Sequence, residues 1–151
     1  MGKGAVIPCE VFVTARVQQC FDTIMRQLEE WTLWDPMILD VRPVSRARGQ
    51  TGSTSHLTFN LGGQRFETLA MICLCDPPRT IAWVSNDRVS ITEEWRLKSE
   101  SNGTLVNFAL HYTFSGVIGG LRGKLVRRKK VERTVHQTVN RLKAVAESKD
   151  E

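Results

Sequence analysis

The stretch Val89-Ser-Ile-Thr-Glu-Glu-Trp-Arg-Leu-Lys98, followed after the turn Ser101-Asn-Gly-Thr104 by Leu105-Val-Asn-Phe-Ala-Leu-His-Tyr-Thr-Phe114, decides how this chain folds. Successive side chains of a strand point to opposite faces. Val89, Ile91, Glu93, Trp95 and Leu97 therefore share one face, opposite Ser90, Thr92, Glu94, Arg96 and Lys98. Val106, Phe108, Leu110, Tyr112 and Phe114 form a second apolar row, with Asn107, His111 and Thr113 behind it. Two such runs around an Asn-Gly turn predict an antiparallel hairpin. The uncharged stretch from Ser101 to Leu121 has the length of a membrane span. Its period of two, and the polar Asn102, Asn107, His111, Thr113 and Ser115 within it, predict instead a strand leading into a helix.

On the C-terminal side, the chain to about Ser148 reads as one long helix with an apolar stripe of Leu121, Leu125, Val135, Val139, Leu142 and Ala146. Arg128 and Glu132 fall inside that stripe, four residues apart. Either the helix breaks near 126–130, or the ion pair faces a wet opening. On the N-terminal side, turn signals stand at Gly49–Gly52, Gly62-Gly63, Asp76–Arg79 and Asn86-Asp87. The runs between them carry further rows, Leu57, Phe59 and Leu61 on one strand and Ile81, Trp83 and Ser85 on another. A first strand covers about Ala5 to Thr14. Thr14 then caps a helix with Val17, Cys20, Phe21, Ile24 and Leu28 at helical spacing. Trp31, Trp34 and Pro36 end that helical region. The order is strand, two short helices, six strands and a long helix, which argues for an α+β fold with one antiparallel sheet.

The 151 residues fit a single domain spanning 1–151, and 41% hydrophobic with 25% charged residues excludes collagen-like, low-complexity and disordered classes. The net charge of +5 is unevenly placed. Nine basic residues and one acid lie between Arg122 and Lys143, leaving the remainder at −3. The protein is a slightly acidic body with one basic segment. Its first residues carry no apolar run before a small-residue cleavage site, so a cytoplasmic location is expected. The four cysteines, 9, 20, 73 and 75, lack zinc spacing. They read as reduced thiols, with Cys73 and Cys75 on one strand face. His56 and His111 fall on polar strand faces. The segment Gly119–Lys124 fails as a phosphate loop, because Ile118 stands where a glycine is needed and Leu125 where Ser or Thr is needed. No metal and no cofactor is expected.

The chemically informative residue is Glu93, a lone carboxylate in an otherwise apolar row. Burial there raises its pKa unless a bulge turns it outward or an Arg pairs with it. Inside a cavity it would anchor a ligand hydroxyl or move a proton. Tyr112 is the other polar tip on an inward row.

The run Phe21-Asp-Thr-Ile24, then Leu28-Glu-Glu-Trp31-Thr-Leu-Trp34-Asp35-Pro36-Met-Ile38, resembles the W..WDP segment of SRPBCC proteins, the START-like superfamily. That superfamily includes polyketide cyclase/dehydrase-type and lipid-transport domains. Pro77-Pro-Arg79-Thr-Ile-Ala-Trp83, Glu94-Trp95-Arg-Leu97 and Gly103-Thr104-Leu-Val106 resemble it in the same order. The resemblance implies a helix-grip fold: a curved seven-stranded antiparallel sheet around the C-terminal helix, with a hydrophobic cavity between. Members include ligand binders, enzymes and modules that dock on proteins or ribosomes, so fold does not choose among functions.

The leading expectation is binding, with or without transport, of a small hydrophobic or amphipathic ligand. Phe59, Phe66, Trp83, Trp95 and Phe108 supply walls, and Glu93, Tyr112, Arg128 and Glu132 supply orienting polar groups. A second is a metal-free cyclase, dehydrase or isomerase with Glu93 and Tyr112 as catalytic groups. A third has Arg127, Lys129 and Lys130 docking on an anionic membrane surface or on RNA. Ligand identity and oligomeric state are not legible in the sequence.

Overall fold

The computed structural model describes residues 4–30, 35–44, 51–87, 89–114 and 120–148. The elements are β1 (Ala5–Val13), α1 (Val17–Glu30), β2 (Ile38–Pro43), β3 (Thr54–Leu61), β4 (Gln64–Asp76), β5 (Thr80–Asn86), β6 (Val89–Glu100), β7 (Gly103–Phe114) and α2 (Gly120–Ser148). The seven strands form one antiparallel sheet in the order β1-β7-β6-β5-β4-β3-β2. β2 to β7 follow one another as hairpins, and β1 closes the far edge against β7. α2 lies against β1 and α1. This is the expected helix-grip arrangement.

The alternation of the apolar rows sets which face α2 covers. Leu57, Phe59 and Leu61 of β3, Ile81, Trp83 and Ser85 of β5, the whole β6 row from Val89 to Leu97, and Val106 to Tyr112 of β7 are all buried. Strand register carries these rows across the sheet: Ile72, Trp83, Glu93, Leu110 and Ile7 are successive partners. Trp95 and Phe108 pair in the next row with ring centroids 4.5 Å apart. From the helix side, Val131, Val135, Thr138, Val139, Leu142 and Ala146 close the core.

Three expectations change in detail. Thr14 does not cap α1. The helix starts at Val17, the Arg16 carbonyl accepts the first helical bond from the Cys20 amide, and the Thr14 amide donates instead to Glu147 Oε2 at 2.8 Å. Cys73 and Cys75 do not share a face, because a bulge between Ile72 and Leu74 shifts the alternation. Cys73 is left exposed, and Cys75 packs at the edge of the core. α2 runs unbroken from Gly120 to Ser148, yet among its described side chains the buried stripe begins at Val131, and Leu125 is 55% exposed. α1 is the one helix among the described residues before β2, and residues 31–34, where Trp31 and Trp34 were expected to end the helical region, lie outside the described residues.

The β3–β4 turn bears on the site. Gly62 and Gly63 have φ of 60° and 90°, the left-handed region that a two-residue hairpin turn requires. A methyl group at Gly62 would lie 2.5 Å from Arg127 Cγ, so only glycine lets the hairpin tip press onto α2.

Candidate functional site

Glu93 stands inward, fully buried, in the middle of the β6 row. No bulge turns it out, since the β5–β6 and β6–β7 registers are unbroken around it. The Trp95 indole N–H donates to its Oε1 at 3.0 Å. Its cross-strand partner Trp83 also favours the charged form, but burial and the nearby Asp35 carboxylate outweigh both indoles and raise the Glu93 pKa well above the usual carboxylate range. Glu93 therefore holds a proton to higher pH than an exposed glutamate.

The second buried carboxyl is Asp35, just before β2. The Met37 amide donates to its Oδ1 at 3.0 Å, and the Thr138 hydroxyl on α2 lies 3.1 Å from the same oxygen. Burial pushes the Asp35 pKa up to about 6, against the lowering effects of these two bonds and of Arg141. Thr138 Oγ1 is also 3.0 Å from the Thr134 carbonyl. One hydroxyl proton serves one acceptor at a time. The Thr138 hydroxyl therefore donates to Asp35 Oδ1 or to the Thr134 carbonyl, and an ionised Asp35 draws it toward the carboxylate. Among the described residues, neither Asp35 Oδ2 nor Glu93 Oε2 has a hydrogen-bond partner.

Aromatic rings wall Glu93. Phe59 lies 5.8 Å from Trp83 and 5.7 Å from Phe66, and Trp95 and Phe108 continue the wall along the neighbouring row. The expected wall residues are thus brought together around Glu93. Tyr112 is buried on the same face but pairs with Ile91, one inward position further along the strand. Burial raises its pKa, and the charges it senses are Arg128, Arg127 and Glu132, not Glu93. Arg128 and Glu132 form an ion pair at 3.0 Å, with side chains 46% and 44% exposed. They belong with Tyr112 at the open end of the helix, apart from the carboxyl pair. Arg127 sits 4.4 Å over the Phe114 ring, while Lys129 and Lys130 are exposed. Among the described residues, clefts of about 350, 490 and 460 Å³ open at the surface, and Glu93 lines none of these. Among the described residues, no cluster of three His, Cys, Asp or Glu side chains is placed to hold a metal.

A family model described as polyketide cyclase/dehydrase and lipid transport matches residues 9–147. The chain belongs to that family. Comparison with curated protein sequences returned no match. Among solved structures, ZhuI aromatase/cyclase from Streptomyces sp. R1128 superposes with a TM-score of 0.81 at 18% identity, covering 99% of this chain and 97% of that one. A START superfamily protein from Mycobacterium smegmatis gives 0.67 at 14% identity, covering 95% of each chain. A point mutant of norcoclaurine synthase from Thalictrum flavum, in complex with a transition-state analogue, gives 0.72 at 11% identity, covering 99% and 98%. At these identities the likeness shows a shared fold.

Asp35 is the residue that sequence reasoning missed. It appeared only as the middle of Trp34-Asp35-Pro36, a mark of fold position. It lies outside any strand, so no alternation assigned it a face, and its partner Thr138 is 103 residues away.

Proposed function

We propose that the protein binds a small amphipathic organic ligand at the inner face of its sheet, with Glu93 and Asp35 as the polar anchor. The observation that carries this reading is the pair of wholly buried carboxyl groups under aromatic walls, each with one oxygen lacking a partner among the described residues. A buried acceptor without a partner costs about 1–3 kcal/mol, which a ligand hydroxyl or amine would recover. The family's cyclase and lipid-transport members support an amphipathic ligand class. The test is competition for a bound apolar fluorophore. Hydroxylated aromatics should displace it better than their deoxy counterparts, and Glu93→Leu should remove that preference. Equal displacement by both series would overturn the anchor, and native mass spectrometry of the purified protein would show any ligand retained from the cell.

The raised pKa of Glu93 favours a second reading on the same site, general-acid catalysis of a cyclase, dehydrase or isomerase type. A protonated Glu93 would deliver its proton to a ligand carbonyl or leaving hydroxyl, and the resulting carboxylate would be reprotonated on the return step. Glu93→Gln should then abolish turnover of a bound substrate while retaining its binding. Unchanged turnover removes Glu93 from the chemistry.

A further inference from the structure

The hairpin tip at Gly62 and Gly63 divides two clefts along α2, and Lys130 lines both. The smaller, about 350 Å³, is walled by Pro36, Asn60, Lys130, Arg133, Thr134 and Gln137. Its four helical residues stand at i, i+3, i+4 and i+7, which is one face of α2. Among the described residues, no Asp or Glu lines either cleft. Lys130 and Arg133, like charges three residues apart, make no ion pair among the described residues, whereas Arg128 and Lys143 on the same helix each have a glutamate. A methyl group at Gly63 would lie 3.8 Å from Lys130 Nζ, so the ammonium sits beside the turn. The ladder closes at Leu61 and Gln64, which leaves the Gly62 and Gly63 amides outside the strand pairing.

The cleft also has a definite place relative to the buried carboxyls. Pro36 follows Asp35 in the chain, and Thr134 lies one helical turn before Thr138, which holds Asp35. The Asn60 amide donates to the Met37 carbonyl at 2.8 Å, tying the same wall to β3. Among the described residues, a surface cleft with two cations outside any ion pair, neutral polar side chains and no acid thus stands directly outside the anchor.

We propose that this cleft binds the phosphate group of a phosphate monoester, gripped by Lys130 and Arg133. Charge-assisted bonds from a lysine and an arginine are the ordinary means of holding such a group. The inference deepens the ligand-binding reading by giving the amphipathic ligand an anionic end, and rests on it for the rest of the ligand. The phosphate site itself stands on the cleft alone.

Titration of the intact protein with inorganic phosphate and with phenyl phosphate, followed by calorimetry at low salt, tests it. Saturable one-to-one binding is expected. Lys130→Gln with Arg133→Gln should weaken it by about tenfold or more, one to two charge-assisted bonds. Lys98→Gln with Lys124→Gln removes the same net charge elsewhere and should leave it nearly unchanged. Gln137→Glu, which puts a carboxylate into the cleft and spares both cations, should abolish it. Equal weakening in the two double variants would mean net charge alone attracts phosphate, and overturns the site. Binding to phosphatidic-acid vesicles without binding of either soluble phosphate also overturns it, as diffuse attraction to a charged surface. Phosphate binding that depends on Lys130 and Arg133 upholds the cleft even if the fluorophore competition above fails. That failure would count against the interior site alone.

Discussion

Two polar clusters lie buried in the core of this protein, and they differ in how far the fold satisfies them. Thr68 on β4 and Ser85 on β5 are buried and share a hydrogen bond across the ladder. Both are neutral and small, and each hydroxyl completes the other. Glu93 and Asp35 are equally buried but ionisable, and each keeps an oxygen with no partner among the described residues. The first cluster is a way to bury polarity without penalty. The second is a standing cost, which the protein bears at the position where aromatic walls converge. Burial raises the pKa of both acids, and Asp35 raises that of Glu93 further, which leaves them as groups held ready to exchange protons or hydrogen bonds.

The largest test of that contrast is pH. Both carboxyls have folded pKa values above their unfolded ones, so the folded state binds more protons than the unfolded state as pH rises past about 4. Stability is full below that point and falls as pH climbs through the Asp35 value of about 6 and on toward that of Glu93. The Asp35 shift alone corresponds to on the order of 3 kcal/mol. Urea unfolding between pH 4 and 8 should show this decline, and Glu93→Gln should recover part of it at pH 8. A wild type whose stability rises across that range would remove the pair's electrostatic cost.

Asp35→Ala comes next. It takes the acceptor away from the Met37 amide and the Thr138 hydroxyl and leaves a void, for a loss of about 2–3 kcal/mol in urea unfolding at pH 5. Asp35→Asn keeps the acceptor and should cost far less, so equal losses would mean the two bonds do not hold the site. In the neutral cluster, Thr68→Val should cost about 1–2 kcal/mol by orphaning Ser85, independently of pH. Adding Ser85→Ala should return most of that loss in a double-mutant cycle. A pH-dependent Thr68→Val effect would erase the distinction between the clusters.

The smallest effect is expected at the other end of α2. Glu147 accepts from the Thr14 amide and from Lys143 Nζ at 2.7 Å, and these lower its pKa. Its contribution is present above the unfolded value and lost as pH falls through the folded one, the opposite sense to the buried pair. Because the pair is about a third exposed, Glu147→Gln should cost only ~0.5 kcal/mol at pH 7 and nothing at pH 3, read as a change in Tm.

The inward placement of Glu93 was legible because the β6 row has a period of two, and a strand of that register has nowhere else to send the side chain. The same logic placed Trp83, Trp95, Phe59 and Phe108 together. It failed at Cys73, where one inserted residue reversed the faces, and at Leu125, where a helical period continues past the point at which the helix leaves the core. α2 makes the reason plain. Its apolar spacing describes the helix, but whether a face is covered depends on what stands opposite, and beyond Val131 the hairpin tip at Gly62 and Gly63 gives way to clefts.

By itself the sequence determined the order of elements, the antiparallel sheet, the inward rows and the isolated carboxylate, because alternation and turn chemistry are local properties of a chain. Only the tertiary structure decided that Asp35 joins Glu93, that Tyr112, Arg128 and Glu132 gather elsewhere, and that Lys130 and Arg133 face one cleft beside the Gly62-Gly63 turn. Those are meetings between segments far apart in the chain. Burial, through-space charge and unfilled hydrogen bonds arise only where such segments touch.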